Sequence, residues 1–373
     1  MVYELEPFDN LFFRSSAPFE AGGETISYQS GFPPLPSAYA GAFKELSVSS
    51  DRGSRGIAIG YSGIKLNDSH YFPVPRDLYV HEPGEDGKEI LRLKRLKMQR
   101  LSSFPLDYML YAPEEMEKEK KQKNLYISEK DMNVYLHTDG GSWNCTDINP
   151  YLMVEKKLGI EEDYASGTSR KGRLYEISCI RPDSLLKLEV EIKNGLVKES
   201  GVVKLGGENK KAFFAKTDKV PNFQWGLEEE CYFKLYLATP SVFKGGWVPG
   251  WIDNISHTGC FSYRKRQVKV KLLGACVGRP VLCGGFGYMK GERQYRPREL
   301  RYAVPAGSVY YFKLLKGSFE DAVKLFHGKC ISEYRENMGF EYQVFNRSRY
   351  CDRGFGYALL GKVSREQEEI LNV

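Results

Sequence analysis

Five histidines, His70, His81, His137, His257 and His327, are the side chains of this 373-residue chain whose ordinary pKa lies near neutrality. Cleaving RNA by acid–base chemistry needs one group to take the 2′-hydroxyl proton and another to protonate the leaving oxygen. His137 with Asp139 can be drawn as such a pair, yet no second feature supports it, and the remaining histidines are scattered. Each therefore reads as a structural residue, His327 on a helix flank. The eight cysteines include no pair at C-x-x-C spacing, which argues against a zinc site and for reduced thiols in the core. H-E-x-x-H and G-x-S-x-G are absent, and Gly328-Lys329 lacks the glycine spacing and the following Ser/Thr of a phosphate-binding loop. No cofactor is expected.

Arginine beside glycine carries the stronger signal. Arg353-Gly354-Phe355-Gly356-Tyr357 matches the opening of the RNA-recognition-motif signature, and Gly285-Phe286-Gly287-Tyr288 is a near-copy. In that motif a helix and a strand must follow, and only Lys362 to Val373 remain. A glycine-rich loop entering the last strand fits better. There Gly354 and Gly356 let the backbone approach another backbone or a phosphate. Arg347, Arg349 and Arg353 lead into this loop; Arg264, Lys265 and Arg266 precede one strand, and Arg296, Arg298 and Arg301 another. Guanidinium groups at loop–strand junctions suit bidentate phosphate contact. Arg92, Lys94, Arg95, Lys97 and Arg100 alternate with leucine and methionine, as an amphipathic element with a solvated face does. A net charge of +6 permits a polyanionic partner without requiring one.

Strands must position these groups. Leu186, Leu188, Val190 and Ile192 alternate with charged residues, so this strand should have one buried face, and Asn194-Gly195 should turn the chain back through Leu196–Leu205. Cys231, Phe233, Leu235 and Leu237 alternate with Tyr232, Lys234 and Tyr236; Val268, Val270 and Leu272 alternate with lysines; Ser308–Leu315 is a further strand. Helices are fewer. Ser37 is placed to cap one running to Leu46, in which Gly41 should mark close contact with a sheet. Ser128 with Asp131, and Ser318 with Asp321, are capping boxes; Phe319, Ala322, Val323, Phe326 and Cys330 then share a face. Pro113–Asn124 is a charge run on a solvated helix or loop, and Lys244–Trp251 an exposed loop anchored by tryptophans. Residues 51–65 and 80–125 are long insertions of unassigned structure.

The order of elements gives an α+β chain of two units, residues 1–226 and 227–373, each an antiparallel sheet with helices on one face and βαββαβ as its simplest form. The N-terminus lacks a signal-peptide core and no apolar run approaches the roughly eighteen residues of a membrane span. A cytoplasmic, reducing setting without a membrane partner is expected.

Pro7–Arg14, Phe32–Glu45, Tyr71–Leu78, Leu205–Phe214, Ala303–Phe312 and the closing Gly354–Gly361 resemble, taken together, the CRISPR-associated RAMP superfamily, in particular the third subunit of the type III-B (Cmr) RNA-silencing effector. The matched blocks run from end to end, with much unmatched sequence between. The resemblance implies two tandem ferredoxin-like (RRM-like, βαββαβ) domains with loop and hairpin insertions. It implies a non-catalytic subunit that binds the 5′ repeat-derived tag of the guide crRNA, docks on the large polymerase-like subunit and adjoins the RAMP backbone subunits. The alternative is a metal-independent RAMP endoribonuclease that processes repeat RNA. The motif-borne RNA-contact candidates are Arg14, Ser37, Gly206, Gly207, Lys210, Gly354, Phe355 and Gly356, joined by Arg296, Arg298 and Arg301 on charge and position. Amides at the glycine pairs would hold phosphates and Phe355 or Trp247 would stack on a base. Ser37 offers an anion site at a helix start or plain packing, and Gly206-Gly207 a phosphate cradle or a hairpin turn.

Overall fold

The structure, a computed structural model, describes residues 1–14, 26–44, 46, 57–83, 88–98, 105–112, 124–137, 141–162, 166–194, 197–223, 230–263, 265–289, 294–297, 299–333 and 349–371. It is α+β, with antiparallel ladders predominating.

The first half is organised by four strands, β1 (Val2–Pro7), β2 (Ala58–Leu66), β3 (Leu186–Asn194) and β4 (Lys211–Thr217). Their spatial order is β4-β1-β3-β2, every pair antiparallel. Register follows from burial: Tyr3 faces Val190, Leu5 faces both Leu188 and Phe214, and Leu188 faces Ile64. Helix α1 (Pro36–Lys44) connects β1 to β2 and buries Tyr39, Ala42 and Phe43 on this sheet. The Phe43 ring lies 5.2 Å from Phe214 and 5.6 Å from Tyr3. Beyond β2 the sheet continues through Ser69–Pro73, Leu125–Ser128, Ser142–Asp147, Lys88–Leu93 and Leu78–Pro83 to ten strands. Residues 51–65, expected as an insertion, thus contain most of a central strand. Residues 80–125 contribute Lys88–Leu93 to the sheet and pair Arg95–Met98 with Tyr108–Tyr111 as a separate ladder. Most of the Pro113–Asn124 charge run lies outside the described residues.

The second half repeats the order. Strands β5 (Tyr232–Leu237), β6 (Arg266–Cys276), β7 (Val309–Lys316) and β8 (Tyr357–Lys362) lie as β8-β5-β7-β6, all antiparallel. After β7, helix α3 (Phe319–Phe326) buries Phe319, Ala322, Leu325 and Phe326; Ser318 caps it, accepting from the Asp321 N–H at 3.1 Å. Cys330 lies beyond this helix, in the short Lys329–Cys330 strand. Trp251 of the tryptophan loop stacks on Phe312 and Phe326 at 5.7 and 5.6 Å, as an anchor should.

Every residue of β5 is buried. Phe233, Leu235 and Leu237 face α3 and the tryptophan loop, which the alternation foretells. Tyr232, Lys234 and Tyr236 form the other face, which the alternation leaves unassigned. That face meets the first half, above all helix α2 (Glu129–His137), which Ser128 caps and which buries Met132, Tyr135 and Leu136. One hydrophobic cluster takes eleven residues from the first half and nine from the second, so the halves share a core. Among the described residues no ladder joins strands across residues 224–229, but the isolated bridge Ile59–Arg353 does join the halves. No helix of the described residues is long and apolar enough to cross a membrane.

Two expectations fail for local reasons. Ser200–Lys204 pairs with β4 and not with β3, so the Asn194-Gly195 turn does not close a hairpin of adjacent strands; Gly195 itself lies outside the described residues. Gly41 makes no close contact, being exposed with nothing within 4 Å of the place a Cβ would take. A Gly41→Ala variant should therefore gain about 0.5–1 kcal/mol of stability from helix propensity and a less entropic unfolded chain. A thermal melt that moves down, or not at all, would contradict this.

Candidate nucleic-acid interface

The sequence candidates fall into two groups. The first lies where the halves meet. A small core of Leu35, Val242, Cys283, Ala303, Tyr350 and Phe355 joins the residue before α1 to the glycine loop. It also holds the base of an extended hairpin, in which Val281–Cys283 pairs with Arg301–Ala303 and then Phe286–Met289 with Gln294–Pro297. Ser37, Arg301, Gly354, Phe355 and Gly356 belong to elements rooted in this core, and Arg296 lies further along the hairpin, opposite Gly287. Arg298 is outside the described residues.

Three roles change once the geometry is seen. Phe355 is 1% exposed, with its ring against Tyr350 at 5.3 Å, so it packs the junction and presents no face to a base. The loop amides are occupied: Gly354 donates to the Cys351 carbonyl at 3.4 Å, Phe355 to Tyr350 at 3.2 Å and Gly356 to Pro240 at 2.8 Å. Glycine is needed here for close approach, between the halves at Gly354 and within the second half at Gly356, and not for a phosphate cradle. Ser37 is not the cap, because the helix begins at Pro36; proline suits that first position, having a fixed φ and no N–H to satisfy. What remains for an anion is the rim. Arg301 lies in the hairpin base at 2.5 Å from Glu299, and Arg349 grips Asp352 through two nitrogens at 2.9 and 3.0 Å. Arg353 is buried, its guanidinium 5.8 Å from the Tyr350 ring.

The second group surrounds the 205–210 turn. Gly206 adopts φ +87°, and a Cβ there would sit 2.6 Å from the Phe12 carbonyl, which accepts the Gly207 N–H at 2.7 Å. Of the two readings of this glycine pair, the turn is the one built. Lys210 binds Asp9 at 2.7 Å, and Arg181 binds Asp9 at 2.6 Å and also Glu155. These cations, Lys210 foremost, hold the Asp9 carboxyl well below the usual carboxylate range. Arg14 bridges Ser30 on the same side, where the Gly31 N–H donates to the Phe13 carbonyl at 3.1 Å.

The histidines have structural partners. His70 Nδ1 lies 2.7 Å from the buried Glu189 carboxylate, which also accepts from the Tyr61 hydroxyl at 2.7 Å. His137 contacts the Asn133 carbonyl one turn back at 2.7 Å, and Asp139 lies outside the described residues. Among the described residues no three His, Cys, Asp or Glu side chains are grouped to hold a metal. All eight cysteines are free thiols; Cys145, Cys179 and Cys283 are in the core as expected, but Cys231 and Cys260 are exposed.

His327 gives a pH test. Its Nδ1 accepts the Leu360 N–H at 3.2 Å, and burial, with His137 nearby, pushes its pKa down to about 4. The unfolded chain takes up this proton before the folded one, so the stability at stake is complete above pH 6.5 and drains as pH falls towards 4. The loss should be about 3 kcal/mol. Urea midpoints across that window should fall more steeply in the native protein than in a His327→Asn variant; equal slopes would refute the assignment.

Sequence reasoning missed the polar groups buried between the halves. The Asp77 carboxylate, 0% exposed, accepts from Tyr135 at 2.9 and 2.8 Å and from Tyr311 at 2.7 Å. Lys234 Nζ lies 3.5 Å from the centre of the Tyr135 ring. The available signal was a lone lysine inside an apolar strand.

Comparison with known proteins bears on this arrangement. The family model described as CRISPR-associated protein (Cas_Cmr3) matches residues 3–57 and 62–363. A chain of the type III-B Cmr-beta complex bound to cognate target RNA, solved by cryo-electron microscopy, is 15% identical, with a TM-score of 0.50 over 96% of this chain and 96% of that chain. A chain of the same kind of complex, bound to cognate target RNA and AMPPnP in its state 1, is also 15% identical, with a TM-score of 0.46 over 83% and 86% of the two chains. At such identity the likeness is one of fold. No curated protein matches the chain.

Proposed function

The chain belongs to the Cas_Cmr3 family of CRISPR-associated proteins, and from that premise we propose that it is a non-catalytic RNA-binding scaffold subunit of a type III-B effector. In this reading it holds the 5′ repeat-derived tag of the guide RNA, docks on the large polymerase-like subunit and adjoins the backbone subunits. We read each four-strand core as a ferredoxin-like unit, supported by the shared orders β4-β1-β3-β2 and β8-β5-β7-β6. In the first unit the described connection between β1 and β2 is helical, through α1; in the second it is that between β7 and β8, through α3.

The observation that carries the RNA reading is the junction core. It fixes the start of α1, the glycine loop and the root of an arginine-bearing hairpin to one another. Arginines held at such a seam can clamp a backbone without an induced rearrangement. The test is binding of guide RNA by the purified chain, alone and with the other subunits of its effector. Binding should be weak and salt-sensitive alone and tag-specific in the assembly, and the RNA should stay intact in metal-free buffer. Arg301→Ala should weaken binding on all sequences and reduce the salt slope by about one. Metal-free cutting of repeat RNA would favour the endoribonuclease, and an assembly that retains no guide would end the proposal.

A further inference from the structure

A cleft lies between the 205–210 turn and the ribbon in which Leu152–Glu162 pairs antiparallel with Ser169–Pro182. Its volume is about 240 Å³, and Lys157, Gly159, Tyr175, Ile177 and Lys210 are among the residues that line it. Tyr175 stands opposite Gly159, and its ring fills the place of the missing side chain: a Cβ on Gly159 would lie 2.2 Å from Tyr175 Cζ. Tyr175 also packs on Phe12, Ile177 and Cys179, which support the ring from the protein side. The aromatic surface is therefore fixed in position and only half-buried.

Two lysines, Lys157 and Lys210, line the cleft with it. Lys210 is held by Asp9 and its side chain is only 12% exposed, so its place is set before any ligand arrives. Lys157 differs from its neighbour Lys156, which pairs with Glu176 at 3.1 Å; among the described residues no carboxylate pairs with Lys157. Glu208, which is exposed, also lines the cleft. Of the other nearby acids, Asp9 is taken by Lys210 and Arg181, and Glu155 by Arg181 and Asn10. A fixed aromatic ring beside paired cations is the arrangement that single-stranded nucleic acid uses, the base stacking and the phosphate meeting the charge.

We propose that this cleft takes one nucleotide unit of an RNA strand, its base over Tyr175 and its phosphate between Lys157 and Lys210. The inference rests on the reading of the chain as RNA-binding and adds to it a site apart from the junction. The test is calorimetric titration of the full chain with uridine 5′-monophosphate and, separately, with a short single-stranded RNA. Both should bind. Tyr175→Ala and Lys157→Ala should each weaken both about tenfold. Tyr175→Phe, which keeps the ring, should bind as the native chain does, and Gly159→Ala, which displaces it, should not. Lys157 is exposed, so its variant folds even if Tyr175→Ala does not. Arg301→Ala should weaken RNA and leave the mononucleotide unaffected. If RNA binding falls in Arg301→Ala while Lys157→Ala and Gly159→Ala change nothing, the cleft is not a site and the junction reading stands. If the mononucleotide responds to these variants and RNA does not, the cleft serves free nucleotides and the RNA assignment is overturned. If neither probe binds, both proposals fall.

Discussion

Gly354→Ala is expected to lower the unfolding free energy by about 2–4 kcal/mol, by adding a left-handed backbone penalty to an overlap that cannot relax. The residue sits at φ +87°. A Cβ there would lie 2.6 Å from Ile59 Cγ2 and 3.1 Å from both the Gly60 carbonyl and Pro36 Cβ. All three belong to the first half, so the strain acts between halves. Neighbouring contacts resist a shift of the loop: the Thr239 hydroxyl donates to the Gly354 carbonyl at 2.7 Å and accepts the Tyr357 N–H at 2.8 Å. Gly356→Ala, with its Cβ 2.6 Å from Ser241 Oγ and 2.8 Å from Ser332 N, should behave alike. Urea unfolding followed by tryptophan fluorescence measures the loss, and a change below about 0.5 kcal/mol, typical of a neutral surface site, would show that the loop is not a fastening. The variant should also bind RNA less well, because the Arg301 strand is rooted in the same core. That loss would come through positioning, the loop amides being spent within the chain.

The strands were legible where burial is one-sided in the way period two assumes, and less so where it is not. Leu186 to Ile192 gave β3 and its buried face, yet Glu189 on the opposite face is also buried, because Tyr61 and His70 reach it from neighbouring strands. β5 was found from Phe233, Leu235 and Leu237, but the place of Lys234 was not legible: a second layer covers the other face, and a single sequence does not announce which half supplies it. β2 escaped notice because Gly60 and Gly63 lower strand propensity. They are there because a Cβ at Gly60 would strike the Glu191 side chain of β3, across the sheet, and one at Gly63 would strike the Tyr61 side chain of β2 itself. The site candidates fared likewise. The glycine loop and the arginines were visible as residue types, and the structure joins several of them at one core. Their division of labour was not visible, since burial of Phe355 depends on Leu35 and Val242, distant in the chain, and the Gly356 amide is taken by Pro240.

Asp77→Ala should cost more than any other single change considered, about 3–5 kcal/mol, because it strips the shared acceptor from groups that stay buried. Tyr135 is on the first half and Tyr311 on the second, so this carboxylate ties the halves by charge-assisted bonds of 2.7–2.9 Å. Gln367 of the C-terminal helix α4 (Arg365–Leu371) extends the network, donating to the Tyr311 hydroxyl at 3.4 Å. Lys234 then keeps the Tyr135 ring as a compensating group among the described residues. Asp77→Asn retains an acceptor oxygen and should cost less, about 1–3 kcal/mol. The lysine makes the network readable by pH. Burial lowers its pKa to about 8, against the pull of Asp77. Between pH 8 and 10 the unfolded chain holds this proton and the folded chain has released it, so unfolding takes up a proton and stability rises with pH. Lys234→Met should abolish that rise and be more stable than the native chain below pH 8, where the buried ammonium is fully charged. Because Asp77 favours that ammonium, Asp77→Asn combined with Lys234→Met should cost less than the two separate effects summed. Additive effects, or a native pH profile that is flat from 8 to 10, would mean that carboxylate and lysine do not act on one another and that the aromatic packing alone joins the halves.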